Sequence, residues 1–234
     1  MTKFDFNDGN GLVPAHQHIN GGGWVADSAS VSDTAYIGPN ARVYGNAQVY
    51  GEARVCGNAQ VGGNALVYDN ALVFDNALVY DNARVCGNAL VLFDAQVGGY
   101  AVVQGKICVK YGIVNNDISH NLIKKIEVEC NLPVINGEIY CYKQVRNDLS
   151  SYHNKEFFYS VGKYVKAINP DMSDSSCASG LHVSNLTYWN SHEYNEGDKY
   201  LFCRVKLKDV IAVACGKIRC KKLFVIGICD NEIG

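Results

Sequence analysis

The sequence predicts a mainly β protein: a parallel β-helix of about 4.7 coils, followed by a small C-terminal domain that is α+β or mostly β. Three observations predict it. Valine recurs every six residues, at Val67, Val73, Val79, Val85 and Val91. That period belongs neither to an α-helix nor to a flat strand, whose side-chain periods are about 3.6 and 2. Between residues 24 and 107 the chain can be written as uninterrupted hexads such as RVYGNA, LVYDNA, LVFDNA and RVCGNA. After residue 137 the period is lost, and β-rich segments separated by turn residues take over.

Each hexad position has a physical role. The second residue is nearly always Val or Ile, a β-branched residue suited to a short strand that points one side chain inward. The fourth and fifth are mainly Gly or Asp followed by Asn, which accept positive φ and turn the chain. The closing Ala is small enough for a crowded corner. Three strands and three corners close a triangle, and stacked triangles hydrogen-bond as parallel strands about 4.8 Å apart. The prism is then roughly 22 Å tall. Every third hexad falls on the same face. One face accordingly ends in Leu72, Phe74, Leu90 and Leu92. A contiguous apolar patch of this kind is rarely left in water, so it should be covered by another chain or by the C-terminal domain; these four residues are the expected oligomer interface, of a homotrimer. Tyrosine rows at Tyr44 and Tyr80, and at Tyr50 and Tyr68, read either as further interface or as a stacking surface for a planar ligand.

The boundaries follow from composition. Residues 1–23 are a Gly- and Asn-rich lead-in or cap, 24–107 the repeat, 108–136 a connector with a short helix expected in ISHNLIKKIEVEC, and 137–234 the C-terminal globular domain. Net charge is −2 and pI about 6.3. Nothing global marks a nucleic-acid or membrane surface, so neither partner is expected. The first 23 residues hold no apolar signal core, and no apolar run reaches spanning length. The expected location is cytoplasmic, the host cytoplasm if the chain is viral. Ten cysteines are scattered singly, which reads as free buried thiols. Cys215 with Cys220, and His16 with His18, come nearest to a metal pattern, but neither has a partner pair at zinc spacing, so no metal and no cofactor is expected.

The repeat resembles the hexapeptide repeat of left-handed parallel β-helices, as in bacterial acyltransferases and carbonic-anhydrase-like proteins. The resemblance implies the left hand; the usual crossover rule gives the right. It also raises acyl transfer as a function. The repeat, however, has no histidine between Trp24 and Ile107 and no loop interrupting its coils. A scaffold role is therefore the expectation for this segment.

In the C-terminal segment, strands are expected at 138–145, 157–168, 180–184, 199–207, 210–220 and 222–228, with turns at Gly162, Asp209 and Gly216. The stretches YKQV, YSVGKYV, CASGLHVS and GKIRCKKLFVIG resemble an uncharacterised domain of bacteriophage and prophage proteins, over about residues 137–229. More distantly, CASGLHVS followed by YLFCRVKL resembles the ADP-ribosyltransferase core. That likeness implies Lys143 in place of a first-strand Arg or His, His182 in place of a tyrosine, and Tyr188 or Tyr194 as a nicotinamide-stacking aromatic. GKIRCKKL offers only bases where the catalytic Glu of that family is expected.

The candidate binding residues are His182, Tyr188, Trp189, His192, Tyr194, Lys143 and Arg204. His182 follows the polar loop 169–180 at the mouth of a strand, and four aromatic or imidazole side chains crowd into residues 188–194. Trp and Tyr give large contact areas at small entropic cost. No catalytic residue is assigned. The expected function is a non-catalytic phage-type accessory protein, a β-helix oligomerisation scaffold presenting a C-terminal binding domain. Its ligand would be a small nucleotide-like molecule, such as a host nucleotide signal, or a host defence protein. The alternatives are an ADP-ribosyltransferase-like enzyme, or a decayed relative of one, and a hexapeptide acyltransferase.

Overall fold

A computed structural model describes residues 2–118, 120–173, 178–190, 198–214 and 216–229. The chain divides into two compact units, Met1–Val128 and Glu129–Gly234. The first is a parallel β-solenoid of about five turns, and the second is a small domain of antiparallel sheets. Among the described residues, no helix is long and apolar enough to cross a membrane.

The solenoid is built of two-residue strands spaced six apart. Tyr36–Ile37, Arg54–Val55, Leu72–Val73, Leu90–Val91 and Cys108–Val109 form one parallel ladder. A second begins at Ser30–Val31 and ends at Val102–Val103. The third runs from Trp24–Ala26 to Ile113–Val114. The ladders continue past residue 107 because Val109 and Val114 still supply the inward side chain, each 0–1% exposed. Inside the repeat, Val67, Val73, Val79 and Val85 and the corner residues Ala71, Ala77, Ala83 and Ala89 are all at 0% exposure. Backbone bonds tie each coil to the next, as in Leu66 N to Ala83 O at 2.9 Å, Tyr68 N to Val85 O at 3.0 Å and Asn70 N to Gly87 O at 2.9 Å.

The corners carry positive φ at Gly45, Gly51, Gly57, Gly63, Asp69, Asp75, Asp81, Gly87, Phe93 and Gly99. Glycine is best there, but the aspartates bring a compensation. Asp69, Asp75 and Asp81 each accept a bond from the corner amide one coil on, that of Gly87, Phe93 and Gly99, at 3.1, 3.3 and 3.1 Å. The asparagines beside them link coils in the same way, Asn46 to Asn64 to Asn82 and Asn58 to Asn76.

The lead-in is itself structured. Lys3–Asp5 and Leu12–Gln17 form an antiparallel hairpin whose second strand pairs with Trp24–Ala26, through Ala15 opposite Ala26. It covers the first edge of the third ladder, which would otherwise present unpaired amides. Phe6, Ala15 and Ala26 form its small core.

In the second unit, one sheet pairs Glu138–Val145 with Lys199–Lys206, then Lys222–Cys229, then Tyr164–Lys166. A smaller sheet joins Leu181–Val183, Lys217–Cys220 and Val210–Ala214. Two expected strands are corrected. Residues 157–168 yield only Tyr164–Lys166, because Gly162 turns the chain at φ 75° and Phe158 makes an isolated bridge to Ser150. Residues 210–220 are two antiparallel strands folded back at Gly216, where φ is 83°. The connector helix spans Leu122–Cys130.

The corner geometry makes one substitution informative. Phe93 holds φ 57° and is 47% exposed, so it bears left-handed strain and buries only about half of its surface in return. That strain is worth about 1–2 kcal/mol, and the extra unfolded-state freedom of glycine offsets roughly half of it. Phe93→Gly is expected to stabilise the solenoid by about 0.5–1 kcal/mol. A denaturant midpoint that stays put or falls would overturn this account of the corner.

Candidate functional site

The strand Glu138–Val145 alternates as far as Lys143, with Ile139, Cys141 and Lys143 buried, and then buries both Gln144 and Val145 at its end. Lysine therefore occupies a slot that the pattern reserves for an apolar side chain. Lys143 is only 8% exposed. Its Nζ lies 5.2 Å from the Tyr159 ring centre and 5.8 Å from that of Trp189. Among the described residues it forms no ion pair with a carboxylate. Burial, reinforced by the charge of Lys217, pushes its pKa down to about 8.

The two sheets part beside this lysine. Tyr142 and Ser184 form a bridge, N to O at 2.7 and 3.0 Å, which is the first step from one sheet to the other. Ser184 also bonds Gly216 O through its hydroxyl. From that junction Leu181–Val183 runs along Lys217–Cys220, with His182 opposite Arg219. The divergence opens a cavity of about 290 Å³. Lys143 and His182 both line it, with Ser151, His153, Asn154 and Tyr159, and Phe157, Ile168 and Leu181 supply apolar wall. No carboxylate among the described residues lines it.

Among the described residues, the groups acting electrostatically on His182 are all bases. Burial holds the His182 pKa down at about 4, and the charges of Lys143, Lys217, Arg219 and His153 add to the effect. At neutral pH the imidazole is therefore uncharged. Its Nε2 is buried and has no hydrogen-bond partner among the described residues. A buried polar atom without a partner costs about 1–3 kcal/mol, and this one belongs to a residue of the cavity wall.

The surrounding loops are braced. Arg146 donates to Ser151 O at 2.5 Å and Tyr152 O at 2.8 Å, which holds the wall segment carrying Ser151 and His153. Arg219 runs beneath Gly180 and donates to Ser173 O. A Cβ on Gly180 would meet Arg219 Cγ at 2.7 Å, which explains the glycine in CASGLHVS.

The expected site residues separate into groups. Lys143 and His182 come together in the cavity. Trp189 and Tyr188, on the helix Leu186–Asn190, stand behind Lys143 rather than in the lining. Trp189 Nε1 donates to Tyr142 O at 2.8 Å, and Tyr188 packs edge-on to it at 5.1 Å. Arg204 is on the opposite face of its strand, 3.4 Å from Glu138 and over the Phe224 ring. His192 and Tyr194 lie outside the described residues. Ser151, His153, Asn154 and Tyr159 escaped the sequence reading. Only Tyr159 carried a signal, as an aromatic beside a Gly-Lys turn.

On the solenoid, Leu72, Leu90 and Leu92 are half-buried and Phe74 is 40% exposed. Tyr44 and Tyr80 lie flat over Gly62 and Gly98 of the next coil, filling the space a side chain there would take. Tyr50 and Tyr68 stack on one another at 5.3 Å. Of the eight described cysteines, all but Cys229 are buried.

A family model described as the YdcK beta solenoid repeat matches residues 41–57, 47–63 and 59–73, all within the solenoid. No curated protein and no solved structure matches the chain.

The buried lysine has a pH signature. Above its unfolded pKa of about 10.4, Lys143 is neutral in both states and burial costs nothing electrostatic. Between about 8 and 10.4 unfolding takes up a proton, so stability rises with pH across that window. Below about 8 the full penalty applies. Lys143→Met is expected to melt higher than wild type at pH 7, and the difference is expected to shrink as pH rises from 8 to 10. A constant difference between the two melting curves would refute the depressed pKa.

Proposed function

We propose that the chain is a non-catalytic β-solenoid scaffold carrying a domain that binds a small ligand, seated in the cavity at Lys143 and His182. The observation that carries this reading is that one cavity is lined by a buried lysine and by His182, and that among the described residues the lysine has no carboxylate partner and His182 Nε2 no hydrogen-bond partner. Both groups are costly to bury in an empty fold, and both become useful when a ligand supplies the missing partner. The volume suits a small molecule rather than a peptide. Retention without turnover fits sequestration of a nucleotide signal, a role that suits a scaffold presenting a binding domain.

A transferase is the second reading. It is favoured by Lys143 and His182 sharing one cavity, as the ADP-ribosyltransferase likeness requires, and opposed by the lack of a carboxylate in the described lining. Turnover of labelled NAD by the purified protein would replace the binding reading with this one.

The solenoid's part in the proposal is self-association through Leu72, Phe74, Leu90 and Leu92. Each such side chain is worth roughly 1.5–3 kcal/mol when fully buried, and one already half-buried gains less. The double variant Phe74→Glu, Leu92→Glu is expected to yield monomers where wild type forms trimers; monomeric wild type by light scattering rejects the interface.

For the cavity, native mass spectrometry of freshly purified protein is expected to show a bound small molecule. His182→Ala is expected to weaken that complex by about 1 kcal/mol or more while the melting temperature barely moves. Undiminished binding by this variant would remove His182 from the seat.

A further inference from the structure

Resting on the ligand seat above, we infer that the cavity takes a tetrahedral oxyanion, the phosphate or sulfate end of a small molecule, received jointly by Lys143 Nζ and His182 Nε2. Four observations converge on this. Among the described residues, the groups acting on His182 are Lys143, Lys217, Arg219 and His153, none of them an acid. The described lining holds no carboxylate to satisfy Lys143 from within the chain. His182 Nε2 is buried and bare, and an uncharged imidazole with its proton on that nitrogen donates to an anion. Ser151 and Asn154 bring further polar side chains to the same wall, while Phe157, Ile168 and Leu181 leave an apolar side for the rest of the molecule.

A neutral or cationic ligand fits less well. It would leave Lys143 charged and unpaired in a nearly dry place, the arrangement that costs most. An anion removes that cost and re-charges the lysine, so binding takes up a proton where free Lys143 is deprotonated.

The groups facing Lys143 identify it as the one that titrates. Cys203, on Lys199–Lys206, and Cys220, on Lys217–Cys220, are pushed up to about 12 by burial. Burial raises Tyr159 as well. His182 stays uncharged above about 4. Lys217 and His153 are the remaining titratable groups acting on this pair. Trp189 has no titrating group.

The test uses the full chain and calorimetric titration with sulfate, whose charge is constant over the range, and with AMP and adenosine. Wild type is expected to bind sulfate and AMP and to prefer AMP to adenosine by at least tenfold. Sulfate affinity is expected to fall roughly 30-fold between pH 7 and 9.5 as Lys143 discharges. Lys143→Met is expected to bind at least tenfold more weakly at pH 7 and to lose that pH dependence. His182→Leu is expected to lose about as much, with His182→Gln, which keeps a donor, recovering most of it. Adenosine binding as tightly as AMP, with Lys143→Met indifferent, overturns the anion inference and leaves the ligand seat standing. A sulfate affinity flat with pH overturns it through wild type alone. If a copurifying ligand is found and none of these variants affects it, both the inference and the seat fail.

Discussion

A corner that accepts positive φ at every sixth residue is the constraint on which the solenoid rests. Only if the chain turns at Gly45, Gly51, Gly57 and their successors can each two-residue strand fall over the strand eighteen residues earlier. The consequences then follow together. Valines and alanines close a dry interior, the amides of each coil find the carbonyls of the next, and equivalent side chains align in rows. The rows are used twice. Aspartates and asparagines at the corners bond between coils, and tyrosines on the flats lie over glycines one coil on. Where Asp replaces Gly, its carboxylate binds the next coil's amide, which offsets the left-handed strain.

The second unit depends on a different device. Its two sheets meet through one bridge, Tyr142 to Ser184, and then diverge. Lys143 lies on the inward face of Glu138–Val145 and lines the cavity there. The aromatic faces of Tyr159 and Trp189 partly replace the water the ammonium has lost. They supply no negative charge, so the lysine remains poorly compensated. Stability is given up at this point, and a binding cavity is the feature that the loss accompanies.

Much of the solenoid was legible because its physics is local. A β-branched residue, a left-handed corner and a small residue recur within six positions, and the ladder assignment follows by counting in threes. The faces expected from that count are those the ladders form, Leu72 over Arg54 and beneath Leu90. The second unit was less legible. The expected turn at Gly216 is present, but the single strand expected over 210–220 is two, and its second half is a return strand that pairs with both Val210–Ala214 and Leu181–Val183. Arg204 was a candidate binding residue together with Lys143 and His182. Cross-strand register puts it opposite Tyr140, on the other face of the sheet.

By itself, then, the sequence determined the solenoid, its period, its three faces and its buried valines and alanines, because each depends on residues close along the chain. It also held the key to the candidate site, a lysine in the inward phase of EIYCYKQV. Tertiary structure alone decided what that lysine would face. Ser151, His153 and Tyr159 reach the cavity from one loop and His182 from a strand nearly forty residues away along the chain. Their meeting depends on where two sheets separate. Long-range pairing sets that point, and no local pattern encodes it.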